Sequence, residues 1–304
     1  MPDIAIAHSK KEKSSSSKSE KKTKLKDAKP KSEKVKSDKP KDKKSKKRSS
    51  DDSSDSAKDE KKEKSSTKKI KTSEAAASTV PATTNAVARE FYEKHNISVT
   101  GDDSFMPYID FSQTPFGSDI LKACTKFSKP TPIQSACWPV VTADRDVIGI
   151  AETGSGKTYA FALPAIHWLS KTHGDRAKKC KKPLVLIVSP TRELAIQTHE
   201  QCAEAGKALG ITSVCLYGGS SKSQQGAELR QAKPAIIVAT PGRLIDVVEN
   251  DQTLDLSEVG FLVLDEADRM LDQGFEKDIR KIIYMLRQGD DRQTVMFSAT
   301  WPKS

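Results

Sequence analysis

The stretch that decides the fold is Asp146-Val-Ile-Gly-Ile150, followed directly by Ala151-Glu-Thr-Gly-Ser-Gly-Lys-Thr158. The first part is a short apolar run typical of a buried strand, and the second is a glycine-rich turn. Glycines let consecutive backbone N–H groups turn inward around phosphate oxygens, which Lys157 and a following helix N-terminus would also attract. A turn that only joins a strand to a helix is the alternative, but Gly-x-Gly-Lys-Thr seldom arises there by chance. We therefore predict a phosphate loop over residues 151–158, with Ala151 at the position usually held by a first glycine.

Five further apolar runs rich in Val and Ile follow along the chain, and each has the length of a strand. They are residues 184–188, 214–217, 236–239, 261–264 and 294–297. Apolar residues at helical spacing fill two of the intervals, residues 193–209 and 275–286. This alternation predicts an α/β fold with a parallel sheet and helices on both faces.

Residues suited to chemistry come directly after these runs. They include Pro190 to Arg192, Gly218 and Gly219, Thr240 to Arg243, Asp265 to Asp268, and Ser298 to Thr300. Because the carboxyl ends of parallel strands meet at one edge of a sheet, we expect these residues to line up beside the phosphate loop.

Asp265 and Glu266 form an acidic pair at the end of the run 261–264. Hydrolysis of a nucleoside triphosphate needs one carboxylate near the metal and another group to orient or deprotonate the attacking water. A charged helix N-terminus is the alternative, since acidic residues are favourable there in any case. With a phosphate loop upstream, the pair predicts a nucleotide-hydrolysing site.

Charge divides the chain into two parts. Residues 1–80 hold 26 of the 52 lysines and arginines and 14 of the 41 acidic residues, so they carry +12 and the remainder carries −1. The first aromatic residue is Phe91. The segment before it buries too little apolar surface to offset roughly 1–2 kcal/mol of backbone entropy per residue. We predict a disordered Lys/Ser-rich tail over residues 1–90 and one α/β domain over residues 91–304.

The remaining composition excludes several classes of protein. The five cysteines include no CxxC pair, which favours free thiols in a reducing compartment over disulfides or a zinc site. No apolar run approaches the roughly 18 residues of a membrane helix, and the N-terminus has no apolar signal region. We therefore expect neither a membrane span nor secretion, and nothing in the sequence indicates a homo-oligomer.

Over about residues 111–302, the chain resembles the DEAD-box ATP-dependent RNA helicases. Seven segments carry the resemblance in family order: Phe127-Ser-Lys-Pro-Thr-Pro-Ile-Gln134, the phosphate loop, Pro190-Thr-Arg-Glu-Leu-Ala195, Gly218-Gly219, Thr240-Pro-Gly-Arg243, Asp265-Glu-Ala-Asp268 and Ser298-Ala-Thr300. The resemblance implies the first RecA-like domain of a helicase, with its Q motif at about 111–134, ATP and Mg²⁺ as cofactors, and RNA as partner. The Ser-Ala-Thr-Trp-Pro-Lys ending and the Lys-rich tail resemble fungal nucleolar members that assist large-subunit ribosome assembly.

The resemblance also assigns roles to individual residues. ATP would contact Phe111, Phe127, Gln134, Thr153, Gly154, Ser155, Gly156, Lys157 and Thr158. Mg²⁺ would be held by Thr158 and Asp265, and catalysis would fall to Glu266, Asp265 and Lys157. RNA would contact Pro190, Thr191, Arg192, Gly219, Thr240, Pro241, Gly242 and Arg243. Asp268, Ser298 and Thr300 would couple hydrolysis to strand separation.

Two of these assignments have ordinary alternatives. Gln134, expected to hydrogen-bond the adenine edge, could be a helix-surface glutamine, and Thr240-Pro-Gly-Arg243 could be only a turn before a helix. Phe111 is the expected adenine-stacking residue. It precedes Phe127 by 16 positions, about two fewer than the family spacing, and Lys126 stands where the family usually has Gly.

The resemblance implies an RNA-stimulated ATPase that opens RNA duplexes, in ribosomal RNA processing and large-subunit ribosome biogenesis. An ATP-controlled RNA clamp and a non-enzymatic truncated product are the alternatives. No second RecA-like domain follows in the sequence, so we expect this chain alone to hydrolyse ATP very slowly and the full product to continue past residue 304. We expect pre-rRNA and preribosomal proteins as partners in the nucleus and nucleolus, with the cytoplasm as the alternative. The tail would tether RNA, with Lys43-Lys-Ser-Lys-Lys-Arg48 serving nuclear import.

Overall fold

The apolar runs of the sequence become neighbouring strands of one sheet. A computed structural model describes the backbone of residues 4–8, together with residues 83–289 and 292–300. The strands in this part are β1 (Ile4–His8), β2 (Ile97–Thr100), β3 (Val147–Ile150), β4 (Val185–Val188), β5 (Ser213–Leu216), β6 (Ile236–Ala239), β7 (Phe261–Leu264) and β8 (Gln293–Ser298). All six predicted strands form, with ends shifted by at most one residue.

The strand order in the sheet is β2-β1-β3-β8-β7-β4-β6-β5. Every neighbouring pair from β1 to β5 is parallel, and β2 alone among the described strands pairs antiparallel, with β1. The chain passes from β3 to β4 across the space that β8 and β7 later fill. The parallel sheet predicted from the alternation of strands and helices is confirmed.

Helices cover the sheet on both faces. They are α1 (Asn85–His95), α2 (Ser118–Leu121), α3 (Pro132–Thr142), α4 (Lys157–His173), α5 (Arg192–Gly206), α6 (Lys222–Ala232), α7 (Pro241–Glu249), α8 (Ala267–Asp272) and α9 (Glu276–Met285). The predicted helix 193–209 corresponds to α5 plus a short 3₁₀ turn, Lys207–Leu209, and the predicted helix 275–286 corresponds to α9. No helix in the described part of the chain is both long and apolar enough to span a bilayer.

Successive residues of the central strands belong to two different cores. In β4, Val185 and Ile187 pack on the first face with α3, α4 and α5, whereas Leu186 and Val188 pack on the second face with α6, α7, α8 and α9. Because side chains alternate along a strand, a strand covered on both faces needs apolar residues at every position. This explains why the runs are continuous rather than alternating.

Two elements fall inside residues 1–90, for which the composition predicted disorder. Ile4–His8 forms β1 between β2 and β3, and helix α1 already begins at Asn85. At the first of these places the average composition conceals a local apolar run, Ile4 to Ala7, which is enough to pair with the open side of β3. Residues 9–82 lie outside the described residues, so disorder there stays a prediction.

Candidate functional site

The strand order sorts the predicted site residues into two neighbouring groups. Strands β3, β8 and β7 are adjacent, so the phosphate loop lies beside residues 298–300 (the Ser-Ala-Thr loop) and 265–268 (the acidic loop). Strands β4, β6 and β5 follow, and their ends carry residues 190–192, 240–243 and 218–219 (the groove loops). The expected single edge is therefore present, with one group of loops suited to a nucleotide and the next suited to a polyanion.

Two glycines give the phosphate loop its shape. Gly154 and Gly156 have φ angles of +80° and +94°, a region that other residues rarely adopt. A Cβ atom on Gly156 would also lie 2.7 Å from Nε2 of Gln134 and 2.9 Å from Oγ1 of Thr131. In the part of the chain that the structure describes, no side chain caps the start of α4 at Lys157. Its first N–H groups are therefore available to an anion.

Lys157 is buried and holds the phosphate loop to the acidic loop. Its Nζ donates to the Ala151 carbonyl at 2.7 Å and lies 3.0 Å from Oε1 of Glu266. The two side chains are only 6% and 5% exposed. A cation and an anion this deeply buried need each other, because either charge alone would be costly to keep out of water. Each charge of the pair therefore compensates the other inside the protein.

Glu266 also carries two features typical of a functional residue. Its φ angle is +53°, in the left-handed region, and it stands at the N-terminus of α8. Its second carboxylate oxygen, Oε2, is buried without a hydrogen-bond partner among the described residues. Backbone strain and an unpaired buried acceptor at one residue suggest that a ligand or water completes this position.

Asp265 is the most strongly perturbed carboxyl group of this edge. Burial raises the pKa of Asp265 to about 7, the negative charge of Glu266 adds to the rise, and Lys157 offsets only part of it. The described residues contain no cluster of three or more side chains that could hold a metal by themselves. One or two carboxylates with substrate phosphates is the usual way to bind Mg²⁺, so the donor set fits that ion when a nucleotide is present.

A cleft of about 360 Å³ lies beside the phosphate loop. Gln134 lines it and is buried, which contradicts the surface-glutamine alternative. Its Oε1 accepts from the Thr131 N–H at 3.0 Å, and its Nε2 donates to the Gly156 carbonyl at 3.0 Å. Gln134 therefore joins the N-terminus of α3 to the phosphate loop. Its expected contact with adenine stays a prediction.

The two candidate aromatic residues of the Q motif lie in different surroundings. Phe127 lines the cleft, is half exposed, and meets Tyr159 edge to face with ring centroids 6.2 Å apart. Phe111 is partly buried and packs against Trp138, with centroids 6.1 Å apart. The Phe127 ring is therefore accessible from the cleft, where a base could contact it. Stacking by Phe111, the residue expected from the family resemblance although it lies about two positions off the family spacing, stays a prediction.

The acidic loop and the Ser-Ala-Thr loop are joined by hydrogen bonds. Oδ2 of Asp268 accepts from the Thr300 backbone N–H at 2.9 Å and from its hydroxyl at 2.7 Å. The Ser298 hydroxyl donates to the Thr300 carbonyl at 2.6 Å. Partial burial would raise the pKa of Asp268, but the hydrogen bonds from Thr300 and Ser298 outweigh it and the pKa is lowered. Asp268 is therefore an ionised link between the loops after β7 and β8.

The groove loops line a depression of about 480 Å³. Its lining comprises Pro190, Arg192, Gly218, Thr240, Gly242, Arg243, Asp246 and Phe275. The Arg192 side chain is 53% exposed, and the Thr240 side chain does not cap α7. Gly219, with a φ of +82°, lets the backbone pass close to Arg192. An exposed guanidinium and uncapped helix N–H groups suit phosphate oxygens.

Arg243 differs from this expectation, because its guanidinium is turned into the protein. The side chain is only 8% exposed, its Nη1 donates to Oε1 of Gln225 at 2.7 Å, and its Nη2 donates to the Ser220 carbonyl at 3.1 Å. Arg243 therefore fixes the chain just after Gly219, and any RNA contact by its guanidinium stays a prediction. Gln225 was not predicted as a site residue, since its importance comes only from this contact.

The DEAD/DEAH box helicase family matches residues 131–304. The chain is 50% identical over 216 residues to the ATP-dependent RNA helicase DBP3 of Kluyveromyces lactis, covering 70% of this chain and 41% of that protein. It is 49% identical over 236 residues to the protein of the same name from Mycosarcoma maydis, covering 72% and 40%. The chain thus spans about two fifths of the length of these curated relatives. With more than half of its residues matched, the chain belongs to the DEAD/DEAH box helicase family.

Proposed function

We propose that this chain is the ATP-binding part of an ATP-dependent RNA helicase, which couples ATP hydrolysis to the remodelling of RNA duplexes. The observation that carries this proposal is the buried Lys157–Glu266 pair, which stands beside Asp265 on the same sheet edge as the groove loops. The relatives named above are ATP-dependent RNA helicases by name. A nucleotide site and a sugar–phosphate site on adjacent strands are what such coupling requires.

In the proposed mechanism, phosphate groups of ATP compete with Glu266 for Lys157. The ammonium group moves from the Ala151 carbonyl and Glu266 to the β- and γ-phosphates, where the α4 N-terminus assists. Glu266 then loses its cationic partner and is free to accept a proton from the attacking water. Asp265 and Thr158 would hold Mg²⁺, which neutralises charge on the phosphates.

In the proposed complex, the protein contacts the phosphates and sugars of RNA, which all nucleotides share. Arg192 and the first turn of α7 contact phosphates, and the hydroxyls of Thr191 and Thr240 contact the sugars. Such contacts carry no base identity, so binding does not depend on sequence. The Asp268–Thr300 hydrogen bond joins the acidic loop after β7 to the Ser-Ala-Thr loop after β8, and we expect this link to couple hydrolysis to strand separation.

Steady-state ATP hydrolysis with and without single-stranded RNA tests this proposal in the full-length protein. Glu266→Gln keeps the size of the side chain but removes the base, so hydrolysis is lost while ATP binding remains. Glu276→Gln, on exposed α9, is the matched control and keeps the wild-type rate. A rate of ATP hydrolysis that does not change when RNA is added, or that Glu266→Gln does not reduce, would contradict the proposal.

An ATP-controlled RNA clamp is the second candidate, and the groove itself favours it. A groove that contacts sugar and phosphate holds a strand whether or not a duplex is then opened. Single-turnover duplex unwinding should be compared with the dwell time on single-stranded RNA. A helicase shows ATP-dependent unwinding, whereas a clamp shows ATP-dependent dwell time without unwinding.

The pathway we propose is ribosomal RNA processing and large-subunit ribosome biogenesis in the nucleus and nucleolus, with pre-rRNA and preribosomal proteins as partners. The cytoplasm is the alternative location. The +12 charge of residues 1–80 supports a tether to RNA, because a polycation gains affinity by releasing counterions. Crosslinking of the full-length protein to RNA in cells tests the pathway, and recovery of messenger RNA in place of pre-rRNA would contradict it.

The tether has its own test. Deleting residues 10–72 removes the Lys-rich part of the tail but keeps Ile4–His8, which pairs with the sheet. RNA affinity should fall and its dependence on salt should flatten, because the number of released counterions drops. An unchanged affinity and salt slope would show that the tail is only a solubilising linker.

A further inference from the structure

Ser189 carries a buried hydroxyl that the mechanism above does not use. The residue is 0% exposed and its Oγ has no hydrogen-bond partner among the described residues. It lies immediately after β4 and immediately before Pro190, the first residue of a groove loop. A native protein rarely leaves a buried hydroxyl unpaired, so the group calls for a hydrogen-bond partner.

The strand register places Ser189 beside Asp265. Val188 pairs with Leu264 in the parallel ladder of β4 and β7, and the Asp265 N–H donates to the Val188 carbonyl at 2.9 Å. The next residues of the two strands are Ser189 and Asp265. Since Val188 and Leu264 both pack on the second face of the sheet, their successors both point toward the first face.

The other neighbour of Asp265 along the sheet is apolar. β7 pairs Leu264 with Met296 of β8, so the residue that follows Met296, Phe297, lies on the far side of Asp265. Phe297 is fully buried and packs in the first-face core. Between the two flanking strands, the side chain that can donate a hydrogen bond to Asp265 is therefore Ser189.

We propose that Ser189 is a positioning residue whose hydroxyl donates a hydrogen bond to the Asp265 carboxylate when Mg²⁺ and a nucleotide are bound. This inference rests on the proposed function, in which Asp265 holds the ion. Carboxylates that ligate a metal are oriented by hydrogen bonds from neighbouring groups, and loss of such a donor weakens metal binding. The orphaned hydroxyl supplies this donor.

The same residue ties the ion site to the RNA groove. The Ser189 N–H donates to the Ala239 carbonyl at 3.0 Å, and Ala239 directly precedes Thr240 of a second groove loop. Pro190 to Arg192 follow Ser189 without any intervening residue. A shift of either groove loop on RNA binding therefore moves the group that orients Asp265.

Binding of a fluorescent ADP analogue to the 304-residue chain, in Mg²⁺ and in EDTA, tests the inference. Ser189→Ala should weaken binding in Mg²⁺ by about 10-fold and leave binding in EDTA unchanged. Its melting temperature should stay the same or rise, since an unpaired buried hydroxyl is removed. Ser189→Cys keeps the size of the side chain but is a weak donor, and should fall between.

Ser135→Ala is the matched control. Ser135 is also 0% exposed, and its hydroxyl has no hydrogen-bond partner among the described residues, but it lies on α3 and not on either strand that flanks Asp265. It should show the same melting behaviour with no change in Mg²⁺-dependent binding. Wild-type affinity in Mg²⁺ for Ser189→Ala, or an equal loss in Mg²⁺ and EDTA, would overturn the inference alone. Absence of Mg²⁺-dependent binding by the wild type would overturn the proposed function and this inference with it.

Discussion

At the residue scale, Lys157 and Glu266 link the stability of the domain to its chemistry. Lys157→Met leaves the Glu266 carboxylate buried without its cation, and we expect the free energy of unfolding to fall by about 3–5 kcal/mol. Lys157→Met combined with Glu266→Gln removes both charges and should recover most of that loss. Urea unfolding at neutral pH measures both variants.

The double variant separates two accounts of the pair. If the cost of Lys157→Met comes from an unpaired buried charge, the second substitution restores stability, although nucleotide binding stays lost. Equal or greater instability in the double variant would contradict this reading. It would show that packing of the lysine stem, rather than the charge, carries the effect.

The sequence identified both residues but not their pairing. Lys157 follows from the glycine-rich loop and Glu266 from the acidic end of a strand, because each motif carries its own chemistry. Their contact at 3.0 Å spans 109 positions and depends on β8 lying between β3 and β7. This strand order cannot be predicted from the local sequence. The inward orientation of the Arg243 side chain could not be predicted for the same reason, since its partner Gln225 belongs to another helix.

At the element scale, the contact between β3 and β8 depends on Gly149. A Cβ atom there would lie 2.7 Å from Cδ1 of the Phe297 ring. Gly149→Ala should therefore lower the free energy of unfolding by about 1–3 kcal/mol, as expected for overpacking. Gly117→Ala is the control with open space around the new methyl group, and should change stability little.

Relief of the clash distinguishes packing from a backbone effect. Gly149→Ala with Phe297→Leu should lose less stability than the sum of the two single variants, because the smaller side chain admits the methyl group. Thermal unfolding of the four proteins completes the cycle. Strictly additive losses would contradict the proposed contact.

Helices α6 and α7 are joined by the hydrogen bond between Gln225 and Arg243. Gln225→Ala leaves Nη1 of a mostly buried guanidinium unpaired, and we expect a loss of about 1–3 kcal/mol. Gln224→Ala, on the exposed side of the same helix, is the control and should be near neutral. Chemical denaturation measures the difference. Equal stability of the two variants would show that Arg243 finds another partner.

The six strands β3 to β8 were predicted correctly from the sequence. Runs of Val and Ile mark all six central strands, since burial on both faces demands them. Strands β1 and β2 were not predicted, because four apolar residues at Ile4 and a short run at Ile97 gain their strand structure from the open side of β3 rather than from their own pattern. The order of the strands in the sheet could not be predicted either, because it is determined by contacts between residues that are distant in sequence.

At the scale of the whole molecule, three partly buried histidines should each contribute a loss of stability as pH drops from 7 to 5. Burial is the main cause that lowers the pKa of His167, His173 and His199. The unfolded chain therefore takes up protons first as pH falls below about 6.5, and the folded state loses stability until the folded pKa values are passed. Thermal unfolding across this range measures the trend.

One variant isolates the histidine contribution. Asp265 acts in the opposite direction, because its raised pKa lets the folded chain bind a proton between about pH 4 and 7. Asp265 makes the same contribution in wild type and in His199→Gln, so it drops out of their comparison. The variant should lose less stability between pH 7 and 5. An identical pH dependence of the two proteins would contradict the assignment to His199.

The central claim is that one sheet edge carries a nucleotide site and, on the adjacent strands, an RNA site. Hydrogen–deuterium exchange on the chain tests it most directly, with Mg²⁺–ATP and single-stranded oligouridylate added separately. We predict that Mg²⁺–ATP slows exchange in the phosphate loop and the acidic loop, and that RNA slows it in residues 190–192, 218–219 and 240–243. Protection of the same loops by both ligands, or of neither group by its own ligand, would contradict the account.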